Sequence, residues 1–493
     1  MKNFVIILLL LTVDKVHSQI FTQSVINGSI TITPKGLKGS TNNSVETTTN
    51  VALGTSALSA NGTGSYNTSV GYQALSANTT GAENTALGTY ALIANTTGNG
   101  NIAVGPNALK TNTTGYFNTA IGPYALFSNT AGNSNTAIGN GALYSTTEAG
   151  NLNAVGFLAL YANTTGESNT ATGSLALRFN TEGYANSAHG THALLLNTTG
   201  SYNTATGTYT LNNNTTGQYN TASGISALSA NTTGSYNTAD GGNALRLNTI
   251  GASNSAYGFQ ALYFNTEGSS NTAGGHEALV SNTVGSNNTA LGYSAGSVIT
   301  TGSNNTFIGH NADADTENLT NAMALGNNAV VNANNKVRIG NSDISVIEGQ
   351  VAWSNPSDRR LKENIRYTSG LGLDFINKLK TVSYNYKADK NKVRYDGFIA
   401  QDIEQIMKEL DVPFSGLKKA DDSTYSLAYS DFVMPLVNAV KEQQQQIQQQ
   451  REEIDKLKKR NESFDQMMTE LKSLKAELSE LKAEAVIQKA DRK

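Results

Sequence analysis

The 493-residue chain has no cysteine, only six prolines and one tryptophan, and charged side chains make up just 14% of it. Without cysteine, neither disulfides nor thiolate metal sites can hold it together. A net charge of −3 supplies no general positive field, so nucleic acid is not an expected partner. Long hydrophobic runs are also missing: the apolar stretch at residues 4–13 is too short to cross a bilayer as a helix. Lys2 before that stretch and Val16-His17-Ser18 after it give it the form of a secretory leader cut after Ser18. Residues 1–18 are therefore expected to be a signal peptide and 19–49 an N-terminal segment. The mature chain is expected to be secreted or at the cell surface, without a transmembrane segment.

What is abundant is a repeat. Glycines from Gly54 to Gly326 recur every seventeen residues without a break. One unit reads NTALGTYALIANTTGNG: a small residue two before the glycine, Ala-Leu three and four after it, and Asn-Thr-Thr-Gly to close. Ala86, Ala103, Ala120 and Ala137 suit a narrow interior, and pairs such as Ala74-Leu75 and Ala91-Leu92 place one large apolar residue in each unit. Short apolar segments separated by Gly, Asn and Thr are too brief for helices and fit short strands. The expected fold over 50–330 is therefore mainly β, a parallel β-solenoid or β-roll with one coil per repeat. The glycine is expected to need positive φ or a close approach between coils, and Pro106 and Pro123 directly after it suit a corner. At strand spacing, the repeats would stack into a rod about 80 Å long. A coil this thin buries little, so several chains are expected to associate, as a trimer. The recurrent NTTG matches N-glycosylation sequons, but its regular place at a turn favours turn and ladder roles for Asn and Thr. The unit resembles the head repeats of trimeric autotransporter adhesins and some phage tail fibres, which implies a parallel β-roll.

Candidate chemistry is sparse in the repeats. Asp313, Asp315 and Glu317 cluster in HNADADTENLT, without the spacing of an EF-hand, and a solvated acidic loop is expected there. His189, His192, His276 and His310 show no ligand spacing, so no metal or other cofactor is expected. Near residue 350 the chain changes character: nine of its 34 basic residues precede 351 and the rest follow. After a β-rich neck (331–356), a small α/β domain is expected over 357–435. It should hold a helix near 371–379, a strand at TVSYNYK, and a strand, turn and amphipathic helix in RYDGFIAQDIEQIMKEL. A coiled coil should follow over 436–487, with a tail at 488–493. Its seam runs through Val440, Ile447 and Ile454, then Phe464, Met467, Leu471, Leu474, Leu478, Leu481 and Ala485.

Between neck and domain lies NPSDRRLKEN, with Ser357 five residues before Lys362. No histidine occurs in 351–493, so a nucleophilic serine there would need another base, and lysine can serve when burial or nearby positive charge favours its neutral form. On spacing alone a helix start capped by Ser357 or Asp358 is the better reading. SDRRLKENI, VSYNYK, DGFIAQDIEQI and LAYSDFVMPLVNAVKEQQQQI, in this order before a coiled coil, resemble the C-terminal intramolecular chaperone and auto-processing domain of phage endosialidases and tail fibres. The resemblance implies a trimeric chaperone that aligns three chains, promotes folding of the preceding β-structure and then cuts itself off at the Pro356–Ser357 bond. Ser357 would be the nucleophile and Lys362 the base, with Asp358 and Gln401 as further motif positions.

The expected function is thus an exported, trimeric, fibre-like surface or adhesion protein. Its expected partners are two further copies of itself and a cell-surface or glycan receptor. A secreted glycan- or ice-binding solenoid that keeps its chaperone as a trimeric base is the alternative. Glycoside hydrolysis needs two placed carboxylates, and the repeats are nearly without them. Peptidase activity is expected only in cis.

Overall fold

A computed structural model describes residues 50–351, 354–387, 392–419 and 423–490; the expected leader and N-terminal segment lie outside them. The chain divides into two compact units, one ending at Gln218 and one beginning at Tyr219. Each contains a run of solenoid coils built on the same plan.

In the first unit, three-residue strands from Val51–Leu53 to Thr204–Thr206 recur once per repeat and pair in parallel, each residue meeting its counterpart one repeat away, as Thr85↔Ile102 and Ala86↔Ala103 do. In the second, the same ladder runs from Thr221–Ser223 to Val337–Ile339, and its last step spans fourteen residues, from Met323 to Val337. Except in the first and last strands, the central strand residue, nearly always Ala, is buried, and its neighbours face outward. The Ala-Leu pair follows the same rule: Ala74, Leu75, Ala91 and Leu92 are all fully buried. The parallel β-solenoid expected from the repeats is therefore the fold.

The repeat glycine needs both properties expected of it. At Gly71 φ is +133°, and a Cβ there would lie 2.6 Å from the Gly88 carbonyl oxygen of the next coil. The leucine is less expected. Leu75, Leu92 and Leu109 sit at φ 54°, 50° and 49°, a left-handed conformation that costs a non-glycine residue about 1–2 kcal/mol. Complete burial and a bond from each N–H to the next coil offset the cost, as from Leu75 N to Ala91 O at 3.0 Å. A β-branched residue tolerates positive φ worst, which accounts for Leu rather than Ile or Val at this site from Leu58 to Leu279.

Asparagine forms the second interior device. Asn95 Nδ2 donates to Asn78 Oδ1 at 2.9 Å and to the Gly98 carbonyl at 3.1 Å, and Asn112 repeats the pattern on Asn95. A second column links Asn84 N to Asn67 Oδ1 at 3.0 Å and Asn84 Nδ2 to Gly98 O at 2.9 Å. Buried amides are tolerable because nearly every polar atom is paired. Threonine joins coils from outside: Thr96 Oγ1 donates to Thr113 O at 3.1 Å. The turn and ladder roles assigned to Asn and Thr are those the structure gives them.

Two irregularities are compensated. Phe307 replaces the small strand residue, and Gly296 stands where the preceding coil would carry leucine; a Cβ on Gly296 would lie 2.7 Å from the Phe307 ring. One large-for-small exchange thus cancels another. Thr146 and Leu152 interrupt both asparagine columns in a single coil, leaving Asn129 Oδ1 buried and unpaired.

The acidic stretch corrects one expectation. Asp315 and Glu317 are exposed, but Asp313 is only 8% exposed and starts a short strand, Asp313–Ala314. Its carboxylate accepts from Ser297 Oγ at 2.7 Å and Ala314 N at 2.8 Å, and burial pushes its pKa upward against those bonds.

Beyond the solenoid, α1 (Leu373–Lys378), α2 (Ala400–Leu410) and α3 (Val433–Ala490) accompany two antiparallel pairs, Val382–Tyr384 with Tyr395–Gly397 and Leu417–Lys419 with Tyr425–Leu427. Phe375, Ile403, Ile406, Phe414 and Phe432 form their common core.

Candidate processing site

Ser357 lies just before a single 3₁₀ turn, Arg359–Leu361. Asp358 caps that turn: its Oδ1 accepts from Arg360 N at 2.8 Å, and the Arg360 guanidinium pairs with the same carboxylate at 2.6 Å. This contact holds the Asp358 carboxyl below its ordinary range. The turn reverses the chain so that Lys362 Nζ donates to Ser357 Oγ at 2.7 Å. Two side chains five residues apart meet because a tight turn, not a regular helix, joins them. Pro356, Ser357, Asp358 and Lys362 are all exposed.

Gln401 stands elsewhere, exposed in the first turn of α2. Among the described residues no hydrogen bond joins it to Ser357 or Lys362. The Ser-Lys pair is therefore local, whereas Gln401 belongs to the packed body of the domain.

Two features escaped the sequence reading. Glu442 on α3 accepts from Leu373 N at 2.7 Å, and Asn438 donates to the Leu371 carbonyl at 3.3 Å. The long helix thus supplies the missing cap of α1. Tyr384, Tyr386 and Tyr395 also cluster, and the hydrogen bond with Tyr386, helped by partial burial, pushes the Tyr384 phenol up to about 12. Tyr384 ends the strand Val382–Tyr384, and Tyr386 follows two residues later with its ring centre 5.3 Å from that of Tyr384.

α3 runs for 58 residues, and its seam is open: Val440, Ile447, Ile454, Phe464, Leu471, Leu474, Leu478 and Leu481 are exposed. Among the described residues no helix is long and apolar enough to cross a membrane.

Residues 357–412 match the peptidase family described as chaperone of endosialidase. This segment is a chaperone-of-endosialidase domain. The match begins at Ser357 itself and ends after α2, so the chaperone domain contains the Ser-Lys pair, Asp358 and Gln401. No curated protein and no solved structure matches the chain.

Proposed function

We propose that the protein is an exported, trimeric, fibre-like surface protein whose chaperone domain aligns three chains, lets the solenoid fold and then releases itself. The observation that carries this reading is the 2.7 Å contact between Lys362 Nζ and Ser357 Oγ at the junction between a folded solenoid and a chaperone-of-endosialidase domain. The family points to trimer formation, and the exposed apolar seam of α3 fits a coiled coil of three helices.

The chemistry follows from the pair. Neutral Lys362 takes the Oγ proton of Ser357 while Oγ attacks the carbonyl carbon of Pro356. The tetrahedral adduct collapses, the C–N bond to Ser357 breaks, and the nitrogen receives the proton from Lys362. An ester then joins Pro356 to Ser357 Oγ. Water hydrolyses it, leaving a carboxylate on Pro356 and a fragment that begins at Ser357 with a free amine. Lysine acts as base only when its charge is disfavoured, through burial or neighbouring positive charge. Both side chains are exposed in one chain, and Arg360 is neutralised by Asp358. In this reading the other copies supply the burial, so cutting waits for assembly.

Expression of the full chain beside Ser357→Ala and Lys362→Ala, followed by denaturing gels and N-terminal sequencing, tests the proposal. The expected result is a fragment starting at Ser357 in the wild type and a full-length band in both variants. A full-length band in all three overturns the processing step, and a monomeric mass by light scattering for uncut Ser357→Ala overturns the chaperone reading.

A further inference from the structure

Between Gly54 and Gly292 the repeats contain three basic residues, Lys110, Arg178 and Arg246, and each stands five positions after a repeat glycine. Successive ones are four coils apart. Solenoid packing does not demand this, because the same position holds serine, isoleucine, leucine or asparagine in other coils. In the first unit, rings fill the coils between the first two cations. Lys110 Nζ lies 5.3 Å from the centre of the Phe127 ring, Phe127 stacks on Tyr144 at 4.9 Å, and Tyr144 stacks on Tyr161 at 5.0 Å. Arg178 occupies the same position in the next coil, with its guanidinium 4.8 Å from the centre of the Phe179 ring and its Nε buried and unpaired. In the second unit Arg246 is likewise next to a ring, donating to the Tyr263 hydroxyl at 2.8 Å.

Charge around the coil is segregated. The acidic residues of the described first unit, Glu83, Glu148, Glu167 and Glu182, stand nine to twelve positions after a repeat glycine, and none falls at positions five or six. An anion approaching the Lys110–Arg178 column therefore meets no carboxylate along it. Stacked rings cover one another's faces, so they show solvent their edges, including phenol hydroxyls that can donate to and accept from sugar hydroxyls.

We propose that this column binds a linear acidic polysaccharide laid along the stack, with carboxylates at Lys110 and Arg178 and uncharged sugars over the ring edges between. Four coils at strand spacing separate the cations by about 19 Å. Duplex DNA carries one charge per about 1.7 Å, far denser than this pattern can use. The match is a polymer with one acidic sugar per repeat unit of several sugars. Arg178 can take its carboxylate with two parallel N–H bonds, while the Phe127 ring helps hold the Lys110 ammonium in place. The inference rests on reading the solenoid as a surface-binding element, and it is independent of the Ser357 chemistry.

The test measures binding of the full chain to immobilised deacylated gellan, a linear polymer with one carboxylate per tetrasaccharide, against polygalacturonate, dextran and duplex DNA. Lys110→Met and Arg178→Met, which keep much of the apolar stem, are compared with the wild type after circular dichroism shows the fold intact. Gellan is expected to bind most tightly, to weaken with salt, and to lose about tenfold in affinity in each variant, the effect of one charge-assisted contact. Gellan bound no better than dextran, variants that bind it as well as the wild type, or tighter binding to DNA would each overturn the proposal. If the chain adheres to cells and the variants adhere equally well, the column is wrong and the surface-binding reading stands; a wild type that adheres to neither cells nor glycans overturns both.

Discussion

Asp313 illustrates how a single residue can set a pH dependence in a chain of so little charge. Burial raises its pKa above the ordinary carboxylate value despite the bonds from Ser297 and Ala314. The folded chain therefore holds this proton more tightly than the unfolded chain. The resulting contribution to stability is complete below the ordinary carboxylate pKa and is lost as pH rises through the raised folded value. As pH rises through the raised value the group becomes a buried charge, which Asp313→Asn removes while keeping an acceptor. The melting temperature of the variant should therefore gain on that of the wild type as pH rises, and the difference should shrink as pH falls toward 4, an ordinary carboxylate pKa. A gap that widens on acidification would falsify this account. The same stretch shows the limit of composition as a guide: three acidic residues read as one solvated loop, yet the fold buries the first and exposes the other two.

A solenoid coil is stabilised by its two neighbours, so damage to one should remain local. Leu177 is fully buried between Leu160 and Leu194 in the apolar column. Leu177→Ala should cost about 2–5 kcal/mol, and hydrogen exchange should accelerate in the adjoining coils while distant coils keep their protection. Gly122 poses a different test, because its φ is +130° and a Cβ would meet the Gly139 carbonyl oxygen at 2.7 Å. Gly122→Ala should therefore destabilise despite adding only a methyl group, and exchange should show the same local pattern. From α3, Glu442 does for α1 what an N-cap side chain usually does from within the sequence. Glu442→Ala should lower the unfolding free energy of uncut Ser357→Ala protein by about 1 kcal/mol in urea. Much of this architecture is legible in the repeat, since a fixed seventeen-residue period, an alanine and leucine in phase, and an unbroken glycine admit few other folds. The left-handed leucines are not legible, because hydrophobicity reports burial and says nothing of φ. The pair Leu417–Lys419 and Tyr425–Leu427 is equally obscure, being two three-residue strands with mixed outward chemistry. Ser357 and Lys362 are legible only through resemblance, whereas their contact depends on a turn that spacing alone does not specify.

At the scale of the whole molecule, the solenoid and its chaperone divide thermodynamics from kinetics. Once formed, the coils are held by ladders of backbone and asparagine hydrogen bonds that must be broken together. Their formation is harder, because nearly every coil offers the same strand, leucine and asparagine to every other, and a slipped register satisfies nearly the same bonds as the native one. Under the proposed function, joining three chains through α3 would raise their local concentration and fix their relative alignment before the coils close. Under the same proposal, cutting removes that information, and the solenoid would then persist only because unfolding is slow. The prediction is an asymmetry. Wild-type protein, cut and freed of its chaperone, should stay folded at moderate denaturant for far longer than its refolding tendency warrants. Once unfolded in strong denaturant and diluted, it should fail to recover and should aggregate through unpaired strand edges. Uncut Ser357→Ala, carried through the same cycle, should regain its β circular-dichroism signal and its trimeric mass. Equal recovery of the two proteins would show that the repeats contain their own register, and would leave the chaperone domain the narrower task of joining chains.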